Sequence, residues 1–425
     1  MKIFKYIRNL VKTRRATSLH WHRHFAIVKS LLALCLAFFG CKEYPDAYKS
    51  TDGKPEVLYV RVPDVDAADL LLDGAFLGNT ICIVGNNLRS VYELYFNDQK
   101  AILNTSLMTD HTLIVGVPRD IPEVVTDKMY LITKKGDKVD YPFKSRVPAP
   151  VVSAISCEYA PDGGEAVLYG DFFIDDPNVP LKITMAGNIP VTEIKNIAKT
   201  EVRFVIPNGA QKGYLNVQSI YGTGRSRFQF RDDRGMILDW DRLNAAGGWR
   251  SGNLAEEGGI SGKYVVFKGN LEDGDWNEDG FSFNLWGEKN GRPPGDFFDA
   301  SPSSLEKLVF KFEINILAPW SANAMQIIFT SWGTKDTNLY IGDFPNQSRA
   351  LWIPWATAGS YKTDGWTTVS IPMSEFKYNN TGGIIDRLGP GNYGGLTIFV
   401  WSGGIQGTPC TTEMWIDNIR VVPME

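Results

Sequence analysis

The chain is almost without histidine. Of four in 425 residues, His20, His22 and His24 fall near the start and only His111 lies further on. Ser-His-Asp or Cys-His catalysis, and zinc held by several imidazoles, have almost no material here. Cysteine is as scarce: beyond residue 41 only Cys82, Cys157 and Cys410 remain, far apart and with no CxxC pair. They read as small apolar core residues, and neither a disulfide framework nor a metal site is expected. No apolar run reaches the ~20 residues that span a bilayer as a helix. Long Ala/Leu/Glu/Lys helical patterns are also missing, whereas Gly (41), Pro (23) and aromatic residues (12%) are plentiful. This composition favours short strands and turns, and predicts an all-β protein. At 425 residues the length suggests about two or three domains.

Acidic residues are absent from the first 41 residues, which hold eight Lys/Arg and end in the apolar run Leu31 to Gly40 before Cys41. A basic start, a run of about ten apolar residues and a small residue before the cut describe a secretory signal. With Cys next, residues 1–40 resemble a bacterial lipoprotein signal peptide, and Cys41 is the expected lipidation site. The following KEYPD is similar to the acidic export signal of Bacteroidetes, which sends lipoproteins to the outer face of the outer membrane. Without the leader, 36 Lys/Arg stand against 48 Asp/Glu, a net charge of −12. Such a balance repels polyphosphates and excludes nucleic acid as a partner.

Residues 41–55 are polar, with Pro45, Gly53 and Pro55, and read as a tether. Residues 56–148 and 149–233 then show the same layout. Gly85-Asn86-Asn87-Leu88 precedes a strand in the first, which closes with TLIVGVP at Pro118. Gly170-Asp171-Phe172 does so in the second, which closes with VRFVIP at Pro207. A repeat of 85 residues built from short alternating strands predicts tandem immunoglobulin-like sandwiches. The turn and the strand ending resemble IPT/TIG domains, which usually act as spacers.

Residues 235–425 differ. No tryptophan lies between residues 22 and 239, yet eleven of the twelve fall between Trp240 and Trp415. Strands such as KLVFKFEINIL, AMQIIFTSW, GLTIFVW and EMWIDNIRVV alternate apolar and polar residues, predicting a jelly-roll-type antiparallel β-sandwich. An indole offers a flat, electron-rich face at little conformational cost, suited to the C–H face of a sugar ring. Trp286, Trp320, Trp332, Trp352 and Trp355 sit beside Pro, Gly or Asn at strand ends, where rings are more often exposed. With Tyr361 they are the expected glycan-binding residues. Trp366 and Trp415, in strand-like surroundings, read as core, and Trp276 and Trp401 stand in reserve. The loop DGDWNEDG places Asp275, Asn277, Asp279 and Gly280 as in a calcium loop, but Trp286 occupies the position of its bidentate carboxylate, so a solvated turn is expected and no metal.

Together, the lipidated Cys, the IPT/TIG-like pair and a Trp-rich terminal sandwich with APWS, LWIPW and GWTTVSIPMSEF resemble the surface glycan-binding proteins of Bacteroidetes polysaccharide utilisation loci. The third domain is similar to the xyloglucan-binding type. The resemblance implies non-catalytic capture of a plant β-glucan at the cell surface, without a cofactor, for a neighbouring outer-membrane transporter. Two other classes stay open: a glycoside hydrolase, which needs two carboxylates facing each other across the sugar, and a protein-binding adhesin using the paired sandwiches.

Overall fold

The computed structural model describes residues 50–243, 253–272, 280–335 and 347–424. The leader, Cys41, Trp249, Trp276 and the acidic loop Asp275 to Asp279 lie outside these. The chain divides into two compact units, one ending at Arg146 and one running from Val147.

The first unit is built from antiparallel ladders and one short parallel pair, Gly74–Phe76 with Lys144–Arg146. Strands Glu56–Arg61, Thr80–Asn86 and Thr112–Gly116 form one sheet, and Gln99–Lys100, Val91–Phe96, Lys128–Thr133 and Lys138–Pro142 form another. Alternation sets their faces: Met129, Leu131 and Thr133 are buried while Lys128, Tyr130 and Ile132 between them are half-exposed. Period-2 side-chain geometry requires this of a strand with one face on a core.

In the second unit, Val151–Ile155, Glu165–Asp171, Glu201–Val205 and Ile194–Ala198 face Ile189–Pro190, Lys182–Ala186, Gln211–Ser219 and Gly222–Arg225. One apolar cluster takes Leu168, Val202 and Phe204 from the first sheet and Ile183, Leu215 and Val217 from the second. The sequence repeat has a structural cause. Gly85 pairs with Val57, just before a bulge in the unit's first strand, and Gly170 pairs with Val152 just before the equivalent bulge. A Cβ at Gly85 would lie 1.9 Å from the Glu56 carbonyl oxygen, and one at Gly170 1.8 Å from that of Val151. Neither position tolerates a side chain.

The Trp-rich region is a two-sheet sandwich. One sheet runs Asn253–Ala255, Tyr264–Leu271, Cys410–Pro423, Leu308–Ile316, Thr367–Pro372, and the other Ser282–Leu285, Gly395–Val400, Met325–Thr330, Ala350–Trp352. Every pairing is antiparallel. Phe267, Phe312, Ile314, Met414 and Ile416 from the first meet Phe283, Ile327, Phe329, Leu396 and Ile398 from the second in a single core.

This sandwich and the one before it lie in the same compact unit and are bonded to each other. Thr368 Oγ1 accepts from the Glu158 backbone N–H at 2.7 Å, and the Thr368 N–H donates to the Ser156 carbonyl at 2.9 Å. Between them lies a buried ionic cluster: Glu158 accepts from Lys311 Nζ at 2.5 Å and from Arg420 Nη2 at 2.7 Å, while Arg420 Nη1 reaches Glu313 at 2.7 Å. Burial alone would lower the Arg420 pKa, but Glu313 and Glu158 raise it above its ordinary value, so the guanidinium stays charged.

Candidate functional site

The six residues expected to bind glycan do not form one platform. Trp320 is fully buried, its Nε1 donating to the Ala322 carbonyl at 2.6 Å. Trp355 is 4% exposed, with Nε1 on the Asn323 carbonyl at 3.0 Å. Trp286 is also 4% exposed, with Lys289 Nζ 4.1 Å from its ring centroid. A ring enclosed on both faces offers nothing to a sugar, so in this structure these three are core. Pro and Gly kept them out of regular strands without taking them out of the interior.

Trp332, Trp352 and Tyr361 are partly exposed. Trp352 leans on Phe312, Trp320 and Tyr361 at centroid distances of 5.7, 5.5 and 5.9 Å. Trp332 lies elsewhere, its Nε1 donating to the Arg292 carbonyl at 2.8 Å and its backbone carbonyl accepting from Glu288. Trp352 pairs with Met325 at one end of the strand Met325–Thr330, and Trp332 follows the other end. The five steps of about 3.3 Å between the ends of this six-residue strand put at least roughly 17 Å between the two groups.

The Trp352 end opens into a groove of about 550 Å³ between the two edge strands, Ala350–Trp352 of one sheet and Thr367–Pro372 of the other. Trp352, Ile353 and Pro372 give it apolar surface, and Tyr378, Glu375 and Ser370 give it polar groups. Tyr378 is fixed by a two-way backbone bridge to Arg349, at 2.9 and 3.1 Å, and its hydroxyl donates to Glu375 at 3.2 Å. Gly403 and Gly404 form one side. Their φ values are +102° and +75°, and a Cβ on Gly404 would lie 1.8 Å from the Thr381 carbonyl oxygen.

A buried polar relay ties the groove to Trp401. Gln326, fully buried, accepts from Arg349 Nη1 at 2.8 Å and donates from Nε2 to the Trp401 carbonyl at 2.6 Å. Trp401 is partly exposed and stands 6.3 Å from Phe399, outside the sandwich core. Gln326 and Arg349 were missed by sequence reasoning, as was Tyr378. The signal for Trp401 was there: in GLTIFVW, Leu396, Ile398 and Val400 point inward, so Phe399 and Trp401 point out. Apolar faces with a few convergent polar groups are what an open saccharide site requires.

Carboxylates are less suited to chemistry. Among the described residues Glu375 alone of the acids lines the groove. Asp417 is pushed up to about 8 by burial, but it lies outside the groove lining, on the strand Cys410–Pro423, bonded to Ser261 at 2.8 Å beside the ionic cluster.

The family described as surface glycan-binding protein B xyloglucan binding domain matches residues 230–423, the stretch that contains this groove. Among solved structures, surface glycan-binding protein PbSGBP-B from Prevotella bryantii is 34% identical, with 88% of this chain and 99% of that one covered and a TM-score of 0.67. An SGBP-B from a complex xyloglucan utilization locus in Bacteroides uniformis is 18% identical, over 87% and 100%, with a TM-score of 0.41. An IPT/TIG domain-containing protein of Bacteroides ovatus is 28% identical over 146 residues, 32% of this chain. That match spans 28% of the relative's own length. With a third of its residues shared across nearly the full length of PbSGBP-B, the chain belongs to the surface glycan-binding proteins of Bacteroidetes.

Proposed function

We propose that this protein is a non-catalytic receptor for xyloglucan, and that the glycan lies in the groove of the Trp-rich sandwich, against Trp352 and Tyr378 with Trp401 extending the contact. The reading is carried by one coincidence: the residues matched by the xyloglucan-binding family are those that build the groove. The groove's chemistry supports it. Aromatic and aliphatic surface faces the C–H planes of sugars, while Tyr378, Glu375 and Ser370 suit hydroxyls. A lone carboxylate supports capture over cleavage, because glycosidic hydrolysis uses a pair. On this reading Cys41 carries the lipid that holds the protein on the outer membrane, and captured glycan passes to an outer-membrane transporter. Calorimetry of the mature chain against xyloglucan, mixed-linkage glucan and a mannan, with a parallel assay for released reducing ends, tests it. Saturable xyloglucan binding with no new reducing ends is expected. Released ends, or binding only to the mannan, would overturn it.

A further inference from the structure

A second group of rings lies on the outer face of the sheet that contains Cys410–Pro423, away from the groove. In Cys410–Pro423, Met414 and Ile416 point into the core, so Trp415 between them faces out. Its cross-strand neighbours are Val266 and Asn315, and Trp366 precedes the edge strand in the same row, since Thr367 pairs with Ile314. The two indoles are 6.1 Å apart between centroids. Tyr264, 1% exposed, backs both, at 5.5 Å from Trp366 and 4.8 Å from Trp415. Trp366 Nε1 donates to the Gly258 carbonyl at 3.1 Å and Trp415 Nε1 to Glu413 at 2.8 Å, so both rings are held by their edges. Both stay partly exposed.

Elsewhere this face is polar. Its Lys311, Glu313 and Arg420 are covered by the preceding sandwich, which Trp366 also touches. Among the described residues the Trp415 ring neighbours Tyr264 and Trp366, with Gly258 at its edge, and it is not in the cluster that joins Trp366 to the preceding sandwich. Next along the strand, Glu413 pairs with Lys268, which is 68% exposed, so the rim carries an acceptor and a donor. Fixed rings backed by a buried one, with hydroxyl-binding groups at the rim, fit a pyranose face.

We propose that Trp415 and Trp366 form a second saccharide-binding shelf, which takes another segment of the polysaccharide held in the groove. The proposal rests on the glycan-binding reading above. A weaker second site on the same polymer acts through effective concentration, so the shelf should matter for long chains and little for short ones.

The test uses the full mature chain with Trp415→Ala and Trp415→Phe, titrated with xyloglucan polysaccharide and with a xyloglucan heptasaccharide. Trp415→Ala should lower polysaccharide affinity about tenfold or more while leaving the tight heptasaccharide binding step unchanged; Trp415→Phe, which retains packing against Tyr264, should fall between. If Trp415→Ala melts too early to assay, the Phe variant decides: a loss on polysaccharide alone supports the shelf. Wild-type polysaccharide affinity in the variants overturns it, as does an equal loss on both probes, which would mean damage transmitted to the groove. Failure of the wild-type chain to bind either probe contradicts the xyloglucan reading and the shelf with it.

Discussion

Replacing Glu158 by Gln removes one charge from the cluster joining the two sandwiches of the second unit. Glu158 side-chain exposure is 5%, and its partners Lys311 and Arg420 are 10% and 0% exposed. Arg420 would retain Glu313, but Lys311 Nζ would keep a buried positive charge with no carboxylate at hydrogen-bond distance among the described residues. Breaking a buried pair in this way costs about 3 to 5 kcal/mol. For a unit of this size each kcal/mol moves Tm by roughly 2 to 4 °C, so a fall of about 6 to 20 °C is expected by differential scanning calorimetry. Adding Lys311→Met, which removes the stranded charge, should recover more than half of the loss. Melting of Glu158→Gln within about 2 °C of wild type would refute the assignment of the cluster as a structural lock. The same reasoning bears on truncation. A fragment starting at residue 235 would lack Glu158 and expose Arg420 and Lys311, so a stable binding fragment should begin near Val147.

Two further results are expected. Because Asp417 is raised to about 8 in the folded protein from an ordinary value near 3.8, the folded state binds more protons than the unfolded chain between those values, and stability falls as pH rises through that window. Asp417→Asn should make melting temperature less steep in pH between about 4 and 8 and should stabilise the protein at pH 8; an unchanged pH profile would contradict the assignment. Trp355→Ala should lose roughly 3 to 5 kcal/mol of stability as a core truncation while folded protein binds glycan normally; loss of affinity without early melting would return this ring to the site.

Much of the fold was legible in the sequence because its signals are local. Alternation marked the strands, and the 85-residue repeat surfaced through Gly85 and Gly170, which sterics forbid from carrying a side chain. Which tryptophan rings are buried was legible only in part. Pro354 and Gly359 do place Trp355 outside a regular strand, but irregular backbone can still turn a ring inward, and Asn323 meets its N–H there. Conversely Trp415 and Trp401 belong to strand-like segments, where parity puts them outside the core. Reading the inward or outward sense of each strand would have ranked them above the loop rings. Tyr378, Gln326 and Arg349 could not be found this way, because they are brought to the groove by contacts between Arg349 and Tyr378, 29 positions apart, and between Gln326 and Trp401, 75 apart. The junction was hidden for the same reason, since Glu158 and Arg420 are 262 positions apart.

The central claim is that the groove beside Trp352 holds the glycan, and Tyr378→Ala tests it most directly. Tyr378 lines the groove and is partly exposed, so its ring can be removed with little loss of core packing. Calorimetric titration of the variant with xyloglucan heptasaccharide should show affinity reduced about tenfold or more, equivalent to about 1.4 kcal/mol, with Tm within about 2 °C of wild type. Wild-type affinity in a variant that melts normally would place the glycan elsewhere and contradict the account.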